Sequence, residues 1–77
     1  MKRCLVIDDS SVIRKVARAL LNSLGYEVIE AASGAGGIAA CSEQIPDAIK
    51  LEWDLPEMSV FNFLVTLNRE FSEASQP

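Results

Sequence analysis

The 77-residue chain has no histidine and only two cysteines, and these absences remove much familiar chemistry. Without an imidazole there is no Ser-His-Asp or Cys-His constellation and no zinc site of the usual Cys/His spacing. Cys4 and Cys41 lie far apart with no Cys-x-x-Cys pairing, so they read as small buried hydrophobes in a reducing compartment. No apolar run approaches the ~18 residues of a membrane span. The short stretch Cys4 to Ile7 meets its acids too soon to be a signal peptide. Cations are in deficit, with seven Lys and Arg against eleven Asp and Glu, which argues against nucleic acid or an anionic membrane as partner. The expected setting is the cytoplasm. Length is short too: a folded chain of this size buries only about 62% of the surface that it exposes unfolded. Its core rarely supplies more than ~3–5 kcal/mol without a partner, metal or disulfide. One domain, 1–77, is the expectation.

What is present alternates in type. Cys4-Leu5-Val6-Ile7 is a continuous apolar run, the pattern of a strand buried on both faces. Ser10 and Ser11 offer an N-cap to a helix whose Val12, Ile13, Val16, Ala17, Leu20, Leu21 and Leu24 recur at helical spacing. Arg14, Lys15 and Arg18 fill its other face, and Gly25 stands where a left-handed cap residue belongs. Tyr26 to Ala31 reads as a second, more exposed strand. Ser33 to Ser42 reads as a helix weakened by Gly34, Gly36 and Gly37, at up to ~1 kcal/mol each. Ala48 to Trp53 makes a third strand, and Asp54 to Met58 a loop. Ser59 caps a third helix with Phe61, Leu64, Val65 and Phe71 on one stripe, and Ser72 to Pro77 read as a frayed tail. Alternating strands and helices joined by short loops imply an α/β fold with a parallel sheet and right-handed crossovers.

Ligands of such sheets bind beyond the carboxyl ends of the strands. Asp8 and Asp9 follow the first strand, and Glu52 and Asp54 surround the end of the third. Converging carboxylates repel one another unless a cation sits among them, and oxygen-only donors select a hard ion such as Mg²⁺. Alternatively, Asp8 and Asp9 merely favour the positive end of the first helix. The Gly34-Ala35-Gly36-Gly37 stretch lacks the Lys-Ser/Thr of a phosphate loop and reads as a loosely tolerated helix start.

These motifs together resemble the response-regulator receiver domain of two-component signalling. The resemblance runs through Leu5-Val6-Ile7-Asp8-Asp9-Ser10, Arg14 through Gly25-Tyr26-Glu27-Val28, Ala31-Ala32-Ser33-Gly34, Pro46-Asp47-Ala48-Ile49 and Trp53-Asp54-Leu55-Pro56-Glu57-Met58-Ser59. It implies a flavodoxin-like fold with three βα units and sheet order 2-1-3. It also implies Mg²⁺ held by Asp8, Asp9, the residue at 52 and the main-chain carbonyl of Asp54, a phosphoacceptor at position 52, and a histidine kinase as partner.

Departures from the family pattern shape the functional expectation. Position 52 is glutamate rather than aspartate, and a displacement of about an ångström can cost about a hundredfold in an in-line transfer. Lys50 stands in an apolar strand position, where its ammonium could replace the cation; Val60 and Asn62 also depart from the pattern. The family has five βα units and three are present. The expectation is a truncated half of a receiver from a phosphorelay response regulator. It would not be an enzyme, would not be phosphorylated, and would be engineered or evolved as a self-associating fragment. Its sheet would be completed by a homodimer through Ile49, Leu51, Phe61, Leu64, Val65 and Phe71, with Mg²⁺ bound weakly if at all. The alternatives are a natural truncated receiver in which Glu52 imitates the phosphorylated state, and a plain divalent-cation-binding module.

Overall fold

The computed structural model describes residues 1–71, and the tail expected over Ser72 to Pro77 lies outside them. Six elements alternate: β1 (Arg3–Ile7), α1 (Ser11–Ser23), β2 (Glu27–Ala31), α2 (Gly34–Glu43), β3 (Ala48–Leu51) and α3 (Val60–Phe71). The strands form one parallel sheet in the order β2-β1-β3, as expected. Cys4 pairs in register with Val28 on one side and with Ala48 on the other.

Successive side chains of a strand point to opposite faces, so β1 feeds two separate layers. Cys4 and Val6 pack with Ala17 of α1 and Val28. Leu5 and Ile7 pack with Ala31, Cys41 of α2, Leu55 and Phe63 of α3. Helix α1 therefore covers one face, and α2 and α3 cover the other. The continuous apolar run of β1 has this double burial as its cause.

Caps fix the ends of α1. Ser10 Oγ accepts from Ile13 N–H at 3.2 Å. At the other end Gly25 N–H donates to Asn22 O and Tyr26 N–H to Leu21 O, both at 3.0 Å, a Schellman closure. Gly25 has φ +91°, a backbone region open to glycine.

Four expectations need correction. The third strand stops at Leu51, because Glu52 still donates its N–H to Ile7 O at 2.9 Å but the chain then bends away toward Leu55. The apolar positions of α1 do not all face inward. Ala17 is its buried residue, whereas Val12, Val16, Leu20 and Leu24 stand exposed. The helix is rolled toward β2, where the enclosed Arg14 and the more open Arg18, on the face opposite the apolar positions, both bond to Glu30. In α3 the residues Phe61, Leu64, Val65 and Phe71 do not share a buried stripe. The core instead takes fully buried Phe63, with Leu67 and Phe71 packed against it, at four-residue spacing.

The glycines of α2 serve contact rather than phosphate binding. A Cβ on Gly37 would collide with Ile7 Cδ1, and one on Gly34 would stand 2.8 Å from Met58 Sδ. Helix α2 lies as close to β1 as it does because Gly37 carries no side chain, and Gly34 leaves room for Met58 and Glu57 of the β3–α3 loop.

Candidate functional site

The carboxyl ends of β1 and β3 lie side by side, Ile7 against Leu51 in register, so Asp8 and Glu52 follow neighbouring strands. Asp8 is 1% exposed. Its N–H donates to Ala31 O at 3.1 Å, and its Oδ1 accepts from Ser10 N–H at 2.9 Å. Its Oδ2 is buried without a hydrogen-bond partner. A buried carboxylate oxygen left unpaired costs about 1–3 kcal/mol or more, which marks this atom as available to a ligand. Asp8 does not cap α1; Ser10 does.

Asp9 is exposed and Glu52 half-buried. Glu52 Oε1 accepts from the N–H of Asp54 at 3.2 Å, a local turn that ties the extra methylene back onto its own loop. Among the described residues no group of three or more Asp, Glu or Cys side chains lies close enough to hold a metal ion. The four acids singled out from the sequence thus share one edge of the sheet without converging. Lys50 is exposed on the α1 side of β3 and enters none of the ion pairs of the described residues, so its ammonium does not stand among the acids.

The loop after Glu52 carries two features that sequence reasoning missed. Leu55 is buried in the larger core layer. Glu57 Oε2 accepts from Gly34 N–H at 3.1 Å, at the start of α2. A carboxylate at a helix N-terminus is favoured by the helix dipole and by its free N–H groups, and it locks the β3–α3 loop across to α2. The acid three residues beyond Asp54 was the one available signal.

The candidate interface residues divide. Ile49 and Leu51 are half-buried on β3, an edge strand of the described sheet. Phe61 is 74% exposed, and Leu64 and Val65 are also exposed, while Phe71 packs against the core. Between the outer side of β3 and α3 runs a groove of about 670 Å³, lined by Ile45, Pro46, Ile49, Leu64, Leu67 and Phe71 among others.

A parallel sheet with acids beyond its first and third strands is the receiver arrangement, and the model of the response regulator receiver domain matches residues 4–75. The chain belongs to this family. Among curated relatives, the transcriptional regulatory protein KdpE of Mycobacterium tuberculosis is 42% identical over 64 residues, covering 83% of this chain and 28% of that protein. The phosphate regulon transcriptional regulatory protein PhoB of Escherichia coli is 33% identical over 69 residues, 90% of this chain and 30% of that one. Among solved structures, chemotaxis response regulator CheY4 of Vibrio cholerae superposes with a TM-score of 0.85 at 31% identity, over 91% of this chain and 58% of that one. This receiver chain therefore spans less than a third of the curated relatives' length and somewhat over half of the solved receiver's.

Receivers commonly bind Mg²⁺ beside the phosphorylation site; here the donors suit a hard cation in type, but among the described residues they do not converge on one position. The donors are all oxygen, and the orphaned Asp8 Oδ2 lacks a partner that a cation would supply. Against tight binding stands Glu52, which must leave the Asp54 N–H to join.

Proposed function

We propose that this chain is a receiver module that takes no phosphoryl group at position 52 and acts by association rather than by transfer. The observation that supports it is the Glu52 carboxylate, half-buried and held by the Asp54 N–H at 3.2 Å where the family pattern places a shorter aspartate. A group on a longer stem, committed to its own loop, is a poor in-line nucleophile. Asp8, Asp9, Glu52 and the carbonyl of Asp54 would hold a divalent cation weakly; when bound, it would neutralise the acids. Incubation with acetyl phosphate and Mg²⁺, read by intact mass, is expected to leave the chain unmodified. Stoichiometric gain of a phosphoryl group at Glu52 would overturn the proposal.

The association we infer is a homodimer through β3 and α3, with the two β3 edges pairing antiparallel about a twofold axis. It is supported by the unpaired edge of β3 flanked by exposed Phe61 and Leu64 and by the apolar groove. Open edges recruit strands, and an isologous contact closes on itself. Sedimentation at high micromolar concentration should give twice the chain mass; a folded monomer there would refute this reading. The histidine kinase partner of the family and a cytoplasmic setting belong to the same proposal. No helix of the described residues is long and apolar enough to cross a membrane.

A further inference from the structure

The turn carrying Asp8 and Asp9 is pinned by a side chain that the site chemistry has not yet used. Arg14, in the first turns of α1, donates from Nη1 to the main-chain carbonyl of Asp8 at 2.7 Å and from Nε to Glu30 Oε1 at 3.0 Å. The second oxygen of Glu30 accepts from Arg18 Nε at 2.6 Å. Glu30 is thereby held from two sides on β2, and the Arg14 side chain is 17% exposed, enclosed between its two acceptors. The planar fork of a guanidinium fixes the angle between Nε and Nη1, so one residue can span a carboxylate and a carbonyl; a lysine offers a single point of donation.

The bond falls on the one residue of the turn whose remaining capacity is free. The Asp8 N–H is taken by Ala31 O, its Oδ1 by Ser10 N–H and its carbonyl by Arg14. Only the buried Oδ2 is left without a partner. With three of its four polar groups fixed, the orientation of that oxygen is set by the frame of β2 and α1 rather than by a flexible loop. Such preorganisation lowers the ordering cost that a ligand otherwise meets.

We propose that Arg14, braced by Glu30 and Arg18, positions the Asp8–Asp9 turn for a divalent cation. This rests on the cation reading above. Arg14 would not touch the ion; it is a positioning residue acting through the Asp8 main chain. Groups that orient a metal ligand in this way account for about 10–100-fold in affinity.

The test is a Mg²⁺ titration of the full chain followed by the amide resonances of Asp8 to Ser11, which report both site and affinity. Arg14→Ala should weaken binding by about tenfold or more, and Arg14→Lys, able to reach one acceptor only, should fall between. Arg3→Ala is the control. It removes another β1–β2 ion pair, Arg3 to Glu27 at 2.8 Å, remote from the turn, and should leave the affinity unchanged. Glu30→Gln keeps an acceptor oxygen and serves if Arg14→Ala does not fold; a loss of a few fold is expected. An affinity within about twofold of the unsubstituted chain for folded Arg14→Ala, or for Glu30→Gln in its place, overturns the inference alone. Equal losses from Arg3→Ala and Arg14→Ala also overturn it, since general destabilisation would then explain both. No response of the unsubstituted chain to Mg²⁺ overturns the cation reading and the inference together.

Discussion

A single methyl group added at Gly37 should destabilise this protein although it improves the helix that receives it. The added Cβ would collide with Ile7 Cδ1 and lie 3.0 Å from Ile7 Cγ1 and 3.4 Å from Phe63 Cε1. Ile7 and Phe63 are both fully buried, so neither can retreat into solvent. Overfilling a packed interior costs about 1–3 kcal/mol. Alanine recovers roughly 0.5–1 kcal/mol of backbone entropy over glycine in a helix. The balance is a loss of about 0–2.5 kcal/mol, or up to roughly 15 °C in Tm for a chain of this size. Gly36→Ala is the matched comparison. Its Cβ would meet Ser33 Oγ at 3.2 Å and Ala31 Cβ at 3.6 Å, so the entropic gain should largely survive. Ile7→Val removes the colliding Cδ1 and alone costs about 0.5–1.5 kcal/mol. Combined with Gly37→Ala it should cost less than the sum, by an interaction of about 0.5 kcal/mol or more. Urea and thermal melts followed by circular dichroism measure all four. Gly37→Ala as stable as Gly36→Ala, or strict additivity in the double variant, would refute the packing argument.

Three further outcomes are expected. Gly25→Ala should cost about 1 kcal/mol or more by urea melt, since φ +91° is strained for any residue with a Cβ. The Arg18 hydrogen bond holds the Glu30 carboxyl below its ordinary 4.5, aided by Arg14 and partly opposed by burial. A carboxyl lowered on folding contributes stability that is present above its unfolded value and lost as pH falls through the folded one. Glu30→Gln should therefore lower the melting temperature near neutral pH and flatten its fall below about pH 4.5, and an unchanged acid limb would count against the pair. Burial pushes the Cys41 thiol up, so iodoacetamide should label it slowly in the native chain and rapidly in urea, as read by mass.

Helix number was legible from the capping residues and the central burial of β1 from its continuous apolar run, whereas the strand order followed from the family resemblance alone. Ser10, Gly25 and Ser59 each act where their chemistry places them. The facing of α3 was not legible. Val60, Phe61, Phe63, Leu64, Val65 and Leu67 surround the helix, so periodicity alone selects no side. The choice is made by the preceding loop, where buried Leu55 and the bond from Gly34 N–H to Glu57 deliver the helix with Phe63 inward. The roll of α1 was hidden for a related reason. Its apolar positions are numerous, and the ion pairs to Glu30 that decide among them join residues 16 and 12 positions apart. The acidic edge was readable as to which residues, but not as to distance. A strand end places Asp8, whereas the conformation of Glu52 depends on a main-chain N–H two residues further on.

The central place of β1 also orders the way the chain comes together. Its pairing with β2 joins residues 24 apart and its pairing with β3 residues 44 apart. Closing the longer loop costs about 0.5 kcal/mol more chain entropy, and it places its strand on an edge with fewer buried side chains. The β1–α1–β2 unit should therefore nucleate, with β3 and α3 condensing on a surface already formed. A change at Leu5, Val6 or Ile7 would then slow folding, while a change in β3 or α3 would act mainly by hastening unfolding.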